Sequence, residues 1–261
     1  MNPNVDIPIS DHTQRYWQYE YDVAARYMIP LLERWGVTLT GHDILDVGCG
    51  EGGGLCALHD GGARCAGFDL DEQRIQAGRQ VMGKRTLRLT TGSIFDSKPP
   101  FADDRFDLVV LHDVFEHLDH KEAVLRTLAG YLNPTGRIMI TFPPYFSAFG
   151  AHQQHLSSPL LRLPFAHLVP GIASRLRRSA HRESPLVVEE VTKLVRLKMG
   201  LRAFERIAGE AGMGIRQRQA YLISPNHIRF GLRPVPAGPI VALPWLSEVL
   251  CSGVVYLLTP P

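Results

Sequence analysis

What the chain lacks narrows its function first. The four cysteines, Cys49, Cys56, Cys65 and Cys251, show no C-x-x-C spacing and no grouping with histidines, so neither a zinc framework nor a disulfide scaffold is read from them. They are expected as reduced thiols in a cytoplasmic protein. An excess of one charge is missing too: 28 basic against 26 acidic side chains leave a formal net charge of +2, which gives nucleic-acid binding no bulk electrostatic basis. No apolar run approaches the ~20 residues that span a bilayer. The opening "MNPNVDIPISDHTQRYW" has neither the basic start nor the apolar run of a secretory signal. Repeats and low-complexity tracts are absent, and from 145 to 182 there is not one acid.

What is present alternates between short apolar runs and helical patterns. Residues 14–36 carry Tyr16, Tyr19, Val23, Tyr27, Leu31 and Trp35 at helical spacing before Gly36, which predicts an amphipathic leader helix within a leader of residues 1–39. The segments "DILDVG", "ARCAGFDLD", "TLRLTTGSI", "FDLVVLHDV" and "GRIMITFP" read as strands, with helices near 54–60, over "EQRIQAGRQVMG" and over "HKEAVLRTLAGYL". Runs such as Leu108 to Leu111 suit strands buried on both faces, the signature of a parallel sheet. Residues 145–199 break this rhythm as an insertion. Afterwards come a long helical stretch through "LRAFERIAGEAG", the strand "GIRQRQAYLI" and a last strand "SGVVYLLTP". No helix is read between these last two strands, so an antiparallel edge pair is expected.

The sharpest motif is "ILDVGCGEGG", residues 44–53. Gly48, Gly50 and Gly53 fit G-x-G-x-x-G, and Gly48, Gly50 and Gly52 equally fit G-x-G-x-G; Asp69 follows about 20 residues on, where a ribose-binding acid belongs. Spacing alone does not decide between nucleotides. Asp46, just before the first glycine, does: a carboxylate there sits uneasily beside a pyrophosphate but suits the ammonium end of a sulfonium-bearing zwitterion. S-Adenosylmethionine is therefore favoured over a nicotinamide dinucleotide.

"ILDVGCGEG", with "GFDLDEQRIQAGR", "FDLVVLHDVFEHL" and "LNPTGRIMITFP" in register, resembles the class I S-adenosylmethionine-dependent methyltransferases. The resemblance covers roughly 40–143, returning at 200–224 and 252–258. It implies an α/β, Rossmann-like fold: a seven-stranded, mostly parallel sheet with helices on both faces, formed by 40–144 and 200–261, with 145–199 as an inserted cap. It further implies that backbone at Gly48, Cys49 and Gly50 approaches the methionine part of the cofactor. Asp69 would then hold the ribose hydroxyls, and Leu70 would pack on the adenine. Ser93 and Ile94 would frame the base, although many relatives carry an acid at the position of Ser93. His112 would line the methionine pocket. Asp71 is read only as a helix cap.

For catalysis the chain offers His117 in "HDVFEHLDH", and His152 and His155 in "GAHQQHLSSPLLRL". His155 is named first as a base for a hydroxyl acceptor; a solvent-facing loop is the structural alternative. Glu116 and His117 also serve as a plain helix cap in many relatives, and no metal is expected. The pattern Asp113, Glu116, His117 nevertheless resembles the metal-binding pattern of quinone-biosynthesis and small-RNA methyltransferases, with Asp in place of the usual Glu. The insertion combines "PYFSAF" and "PLLRLPFAHLVPG" with Arg175, Arg177, Arg178 and Arg182. That composition suits a lid over a partly apolar, anionic acceptor, peripheral contact with an anionic membrane, or a small subdomain packed on itself. The expected activity is O-methylation of a small or lipid-linked metabolite, a glycan unit or a quinone-like ring. Nitrogen or carbon acceptors, and a silent binding subunit of the same fold, are the alternatives.

Overall fold

The structure is a computed structural model that describes residues 10–172, 174, 183–239 and 243–260. Arg175, Arg177, Arg178 and Arg182 lie outside the described residues. The chain divides into two compact units, one holding the described residues up to 112 with 126–139 and 260, the other 113–125 and 140–259. No helix among the described residues is long and apolar enough to cross a membrane.

The first unit opens with α1 (Asp11–Val23), whose Ser10 cap accepts the Thr13 N–H at 3.1 Å. One π turn, Ala24–Met28, carries it into α2 (Ile29–Arg34), and this turn changes the expected helix face. Met28 is buried where the sequence spacing favours Tyr27. The physical reason is Pro30: it has no N–H to give, and its ring crowds the carbonyl four residues back. The wider turn relieves both, with the Ile29 N–H reaching the Ala24 carbonyl.

Four parallel strands follow, β1 (Asp43–Val47), β2 (Arg64–Asp69), β3 (Arg88–Thr91) and β4 (Phe106–His112). They are paired in the order β3-β2-β1-β4. Ile44, Leu45 and Leu108 to Leu111 are buried, as their unbroken apolar runs require of a sheet covered on both faces. Helices α3 (Gly53–Asp60) and α4 (Glu72–Val81) make crossovers, and Asp71 caps α4 by accepting the Gln73 N–H at 2.8 Å. Parallel pairing brings the ends of β1, β2 and β4 to one edge, so that Asp46, Asp69 and His112 share it.

α5 (Lys121–Gly130) and β5 (Leu132–Phe142) run from one unit to the other. The second unit adds α6 (Pro185–Leu197), α7 (Leu201–Glu210), β6 (Gly214–Ile223), β7 (Val235–Pro236), α8 (Pro244–Leu250) and β8 (Gly253–Thr259). Three expectations are corrected. The helical stretch before β6 is two helices, broken at Lys198, whose φ of 49° ends α6, with the Glu248 carboxylate capping the Leu201 and Arg202 N–H groups of α7 at 2.9 and 2.8 Å. A helix, α8, does stand between β6 and β8, starting at a proline that suits the first helical turn. The sheet has eight strands instead of seven, in the order β3-β2-β1-β4-β5-β8-β6-β7, because the two-residue β7 pairs with β6 through Tyr221 and Ile223. The antiparallel β6–β8 pair is as expected.

The second unit's core centres on aromatic rings: Phe204 lies 5.3 Å from Phe115, 5.2 Å from Phe142 and 4.4 Å from Tyr256 between centroids. A satellite core of Tyr145, Ala151, Leu156, Ile172, Val191 and Leu194 holds the inserted segment against α6. The Glu183 carboxylate tightens it by accepting the Ser157 and Ser158 N–H groups at 2.6 and 2.9 Å. Leu160, Leu163, Phe165, Leu168 and Val169 remain exposed on the same segment.

Phe204→Ala is expected to cost about 3–5 kcal/mol, the range for emptying a fully buried aromatic site. In the first unit a methyl group on Gly53 would collide with the Trp17 carbonyl oxygen and come within 2.9 Å of the Glu20 Cβ. Gly53→Ala is expected to cost about 1–3 kcal/mol by overpacking. Urea-midpoint shifts measure both.

Candidate functional site

The glycine turn settles which spacing does what. Gly48, Gly50 and Gly52 have φ of 82°, 53° and 75°, so the G-x-G-x-G set supplies the left-handed backbone. Gly53 serves instead for close approach, since α1 packs on its bare Cα. The turn is held down by the Gly48 and Cys49 N–H groups donating to the Phe68 carbonyl at 2.8 and 3.1 Å. The Gly50 N–H donates to Asp69 Oδ2 at 2.9 Å, and the Asp71 N–H to Asp69 Oδ1 at 2.9 Å. Each Asp69 oxygen therefore accepts one backbone proton and keeps a lone pair for a ligand hydroxyl.

Asp46, Gly48, Cys49 and His112 line one cavity, together with two residues the sequence reading missed, Glu20 and Met28 of the leader. Asp46 Oδ1 and Glu20 Oε2 are buried without a hydrogen-bond partner. Burial, reinforced by Asp69, pushes the Asp46 carboxyl up to about 7, and burial pushes Glu20 up to about 8 against the pull of Arg74. Burial likewise raises the Cys49 thiol and keeps it neutral. Arg74 of α4 donates to Glu51 Oε2 through Nε at 3.0 Å and Nη2 at 2.5 Å, lies 3.7 Å from Glu20 and 3.9 Å from Asp69, and stacks over Tyr16 at 5.3 Å. A cavity with two carboxylate oxygens awaiting a donor fits a cationic ligand, and it would repel a diphosphate.

Leu70, Ser93 and Ile94 are not among the cavity-lining residues. Leu70 is exposed just past β2, whose Asp69 is in register with Thr91 of β3, two residues before Ser93. Ile94 is buried. An acid does serve this turn from three residues further on, because Asp96 accepts the Ser93 N–H at 2.8 Å.

The second unit gathers the candidate catalytic residues. Glu116, His117 and His152 each offer a ligand atom within 4.8 Å of the others. Glu116 is buried, both its carboxylate oxygens lack a hydrogen-bond partner although Oε1 lies 3.7 Å from His117 Nε2, and burial together with the Asp113 charge raises its pKa well above the usual range. Burial and then the neighbouring His152 lower His117 to about 4, leaving a neutral imidazole. His152 Nδ1 pairs with Glu190 Oε1 at 2.7 Å, a contact no local motif announced because Glu190 is 38 residues away on α6. Burial opposes the Glu190 charge, but the hydrogen bond from His152 holds its pKa below the ordinary value. His155 is exposed, its ring 6.3 Å from that of His152. Burial of its ionised form and the nearby His152 lower it as well.

Asp113 does not join this group. Its Oδ1 accepts the Thr141 hydroxyl at 2.8 Å and its Oδ2 accepts the Asn226 amide. The set Asp113, Glu116, His117 is thereby corrected to Glu116, His117, His152, because the Asp113 carboxylate is spent on pinning a residue with φ of 53°.

Residues 45–140 match the family model for a methyltransferase domain. The ubiquinone biosynthesis O-methyltransferase of Stutzerimonas stutzeri is 26% identical over 132 residues, 49% of this chain and 57% of that protein. The demethylmenaquinone methyltransferase of Tropheryma whipplei is 28% identical over 141 residues, 53% of this chain and 54% of that protein. The match thus spans little more than half the length of either relative. The crystal structure of an S-adenosylmethionine-dependent methyltransferase from Mesorhizobium loti shares the fold with a TM-score of 0.56 at 18% identity, over 91% of this chain and 99% of that one. Residues 45–140 thus match a methyltransferase domain, on a fold shared with a solved S-adenosylmethionine-dependent methyltransferase.

Proposed function

We propose that the protein transfers a methyl group from S-adenosylmethionine to an oxygen of a small or lipid-linked acceptor, such as a glycan unit or a quinone-like ring. The observation that carries the reading is the buried, unpartnered Asp46 oxygen beside a left-handed glycine turn tied to Asp69. When bound, the donor supplies an electrophilic methyl on a sulfonium, open to in-line displacement. Asp46 receives the ammonium group, and the spare lone pairs of Asp69 receive the ribose hydroxyls. Leu70 and Ile94 provide apolar surface for the base, with Ser93 at its edge, and His112 closes the methionine pocket.

On the acceptor side the histidine with an orienting carboxylate is the better base. His152, fixed through Nδ1 by Glu190, leaves Nε2 to take the acceptor's proton as the C–O bond forms and the C–S electrons return to sulfur. His155 and His117 stand beside it as polar neighbours. The exposed Leu160, Leu163, Phe165, Leu168 and Val169 favour an apolar or lipid-linked acceptor, as do the names of the two curated relatives. A second reading is favoured by the unpartnered Glu116 carboxylate: Glu116, His117 and His152 fit a divalent ion, which would lower the pKa of an acceptor hydroxyl.

Calorimetry with S-adenosylmethionine and with a nicotinamide dinucleotide tests the donor, since only the first is expected to bind. Asp69→Ala is expected to weaken donor binding by about 1.5–3 kcal/mol, the range for hydrogen bonds to a charged group. Unchanged affinity removes Asp69 from the site. Turnover of methyl-labelled donor on hydroxylated acceptors separates an enzyme from a silent binding subunit. His152→Ala is expected to abolish that turnover while donor affinity is retained. Loss of activity on chelation, restored by a divalent ion, assigns His152 to the metal; indifference to chelation assigns it to the proton.

A further inference from the structure

Asp46 was expected to meet a cation, but a second acid from outside the glycine-turn motif shares its cavity. Glu20 comes from the middle of α1, and its Oε2 is buried without a partner, as is Asp46 Oδ1 on a side chain that is itself only 6% exposed as a residue. Two buried carboxylates lining one cavity repel each other when both are ionised. The groups facing Glu20 do not relieve this fully. Tyr16 of α1 gives it one hydrogen bond, Arg74 of α4 lies 3.7 Å from Oε1 but is engaged by Glu51, and Asp46 and Glu51 add negative charge, with Asp69 adding its own to Asp46. Cys49, which stays neutral, and His112 line the same cavity.

We propose that Glu20 and Asp46 form a charge-reading pair: Asp46 holds the ammonium that donor and product share, while the combined field of the two acids favours the additional positive charge of the sulfonium, so that the donor is held in preference to its demethylated thioether product. This rests on the donor reading given above. The two molecules share the ammonium, carboxylate, ribose and adenine, so all contacts to those parts hold donor and product alike. Donor and product differ by the methyl group and by one positive charge, and only a nearby negative charge turns the charge into selectivity. Before a cation binds, Glu20 is mostly protonated and Asp46 about half protonated at neutral pH, since the carboxyls titrate at about 8 and about 7. A cation favours their ionised forms, so donor binding releases protons and strengthens as pH rises from 6 to 8. Such selection limits inhibition by product, which has the same shape.

Calorimetry of the full chain with S-adenosylmethionine and S-adenosylhomocysteine, in buffers of different ionisation heat, tests this for wild type and Glu20→Gln. Wild type is expected to favour the donor by about tenfold or more, as a unit charge in a partly buried site allows, and to release protons on binding it at pH 7.5. Glu20→Gln is expected to bring that preference within about threefold and to reduce the proton release, while product affinity stays within about threefold, which also shows that the variant is folded. Equal weakening of both ligands, or an unchanged preference with unchanged proton release, overturns the charge-reading pair and leaves the donor reading intact. Absence of heat with either ligand in wild type overturns the donor reading and the pair with it.

Discussion

A carboxylate placed where water cannot reach it, with one oxygen unpartnered, is the constraint on which the first unit turns. Asp46 is the penultimate residue of a strand buried on both faces, so its side chain is interior on one face as those of Leu45 and Val47 are on the other. Such a group is costly unless something positive arrives. Around it lie bare backbone at three left-handed glycines, a second acid, Glu20, with a buried unpartnered oxygen, and Arg74 engaged by Glu51.

Much of this was legible in the residues. Apolar runs bounded by glycine and acid gave the parallel strands, and the spacing from Gly48 to Asp69 gave the turn and its partner, because both are local patterns with fixed geometry. Glu20 was not legible as a site residue. It lies in an amphipathic helix where an acid ordinarily marks the solvent side, and only the packing of α1 on Gly53 turns it inward. The pairing of His152 with Glu190 was hidden for the same reason, since contacts across 38 residues leave no periodicity. Asp113 shows the converse failure: its spacing to Glu116 and His117 suggested a ligand, while Thr141 and Asn226, remote in sequence, had already claimed its oxygens. The additional strand, β7, two residues long and containing a proline, is too short for any pattern to register.

The second unit combines two chemistries that seldom share a segment. A buried acid and a row of imidazoles lie on 3₁₀ turns, while the inserted stretch beside them in sequence exposes aliphatic and aromatic side chains. Its satellite core with α6 explains how that stretch keeps a shape without long helices of its own. Phe165 illustrates the compromise, held at φ of 63° with its side chain exposed; a bulky residue in that region is strained, and strain of this kind persists only where the surroundings fix it.

The widened turn at Ala24–Met28 has a bearing that reaches beyond the accommodation of Pro30. It adds one residue to the winding between Glu20 and the anchored pair Leu31 and Leu32. Removing a residue there would restore ordinary pitch yet swing everything upstream by about 100° around the axis. The acid would then point away from the glycine turn. The bearing of a single carboxylate is therefore set by a length, the number of residues in one helical turn, as much as by its own identity.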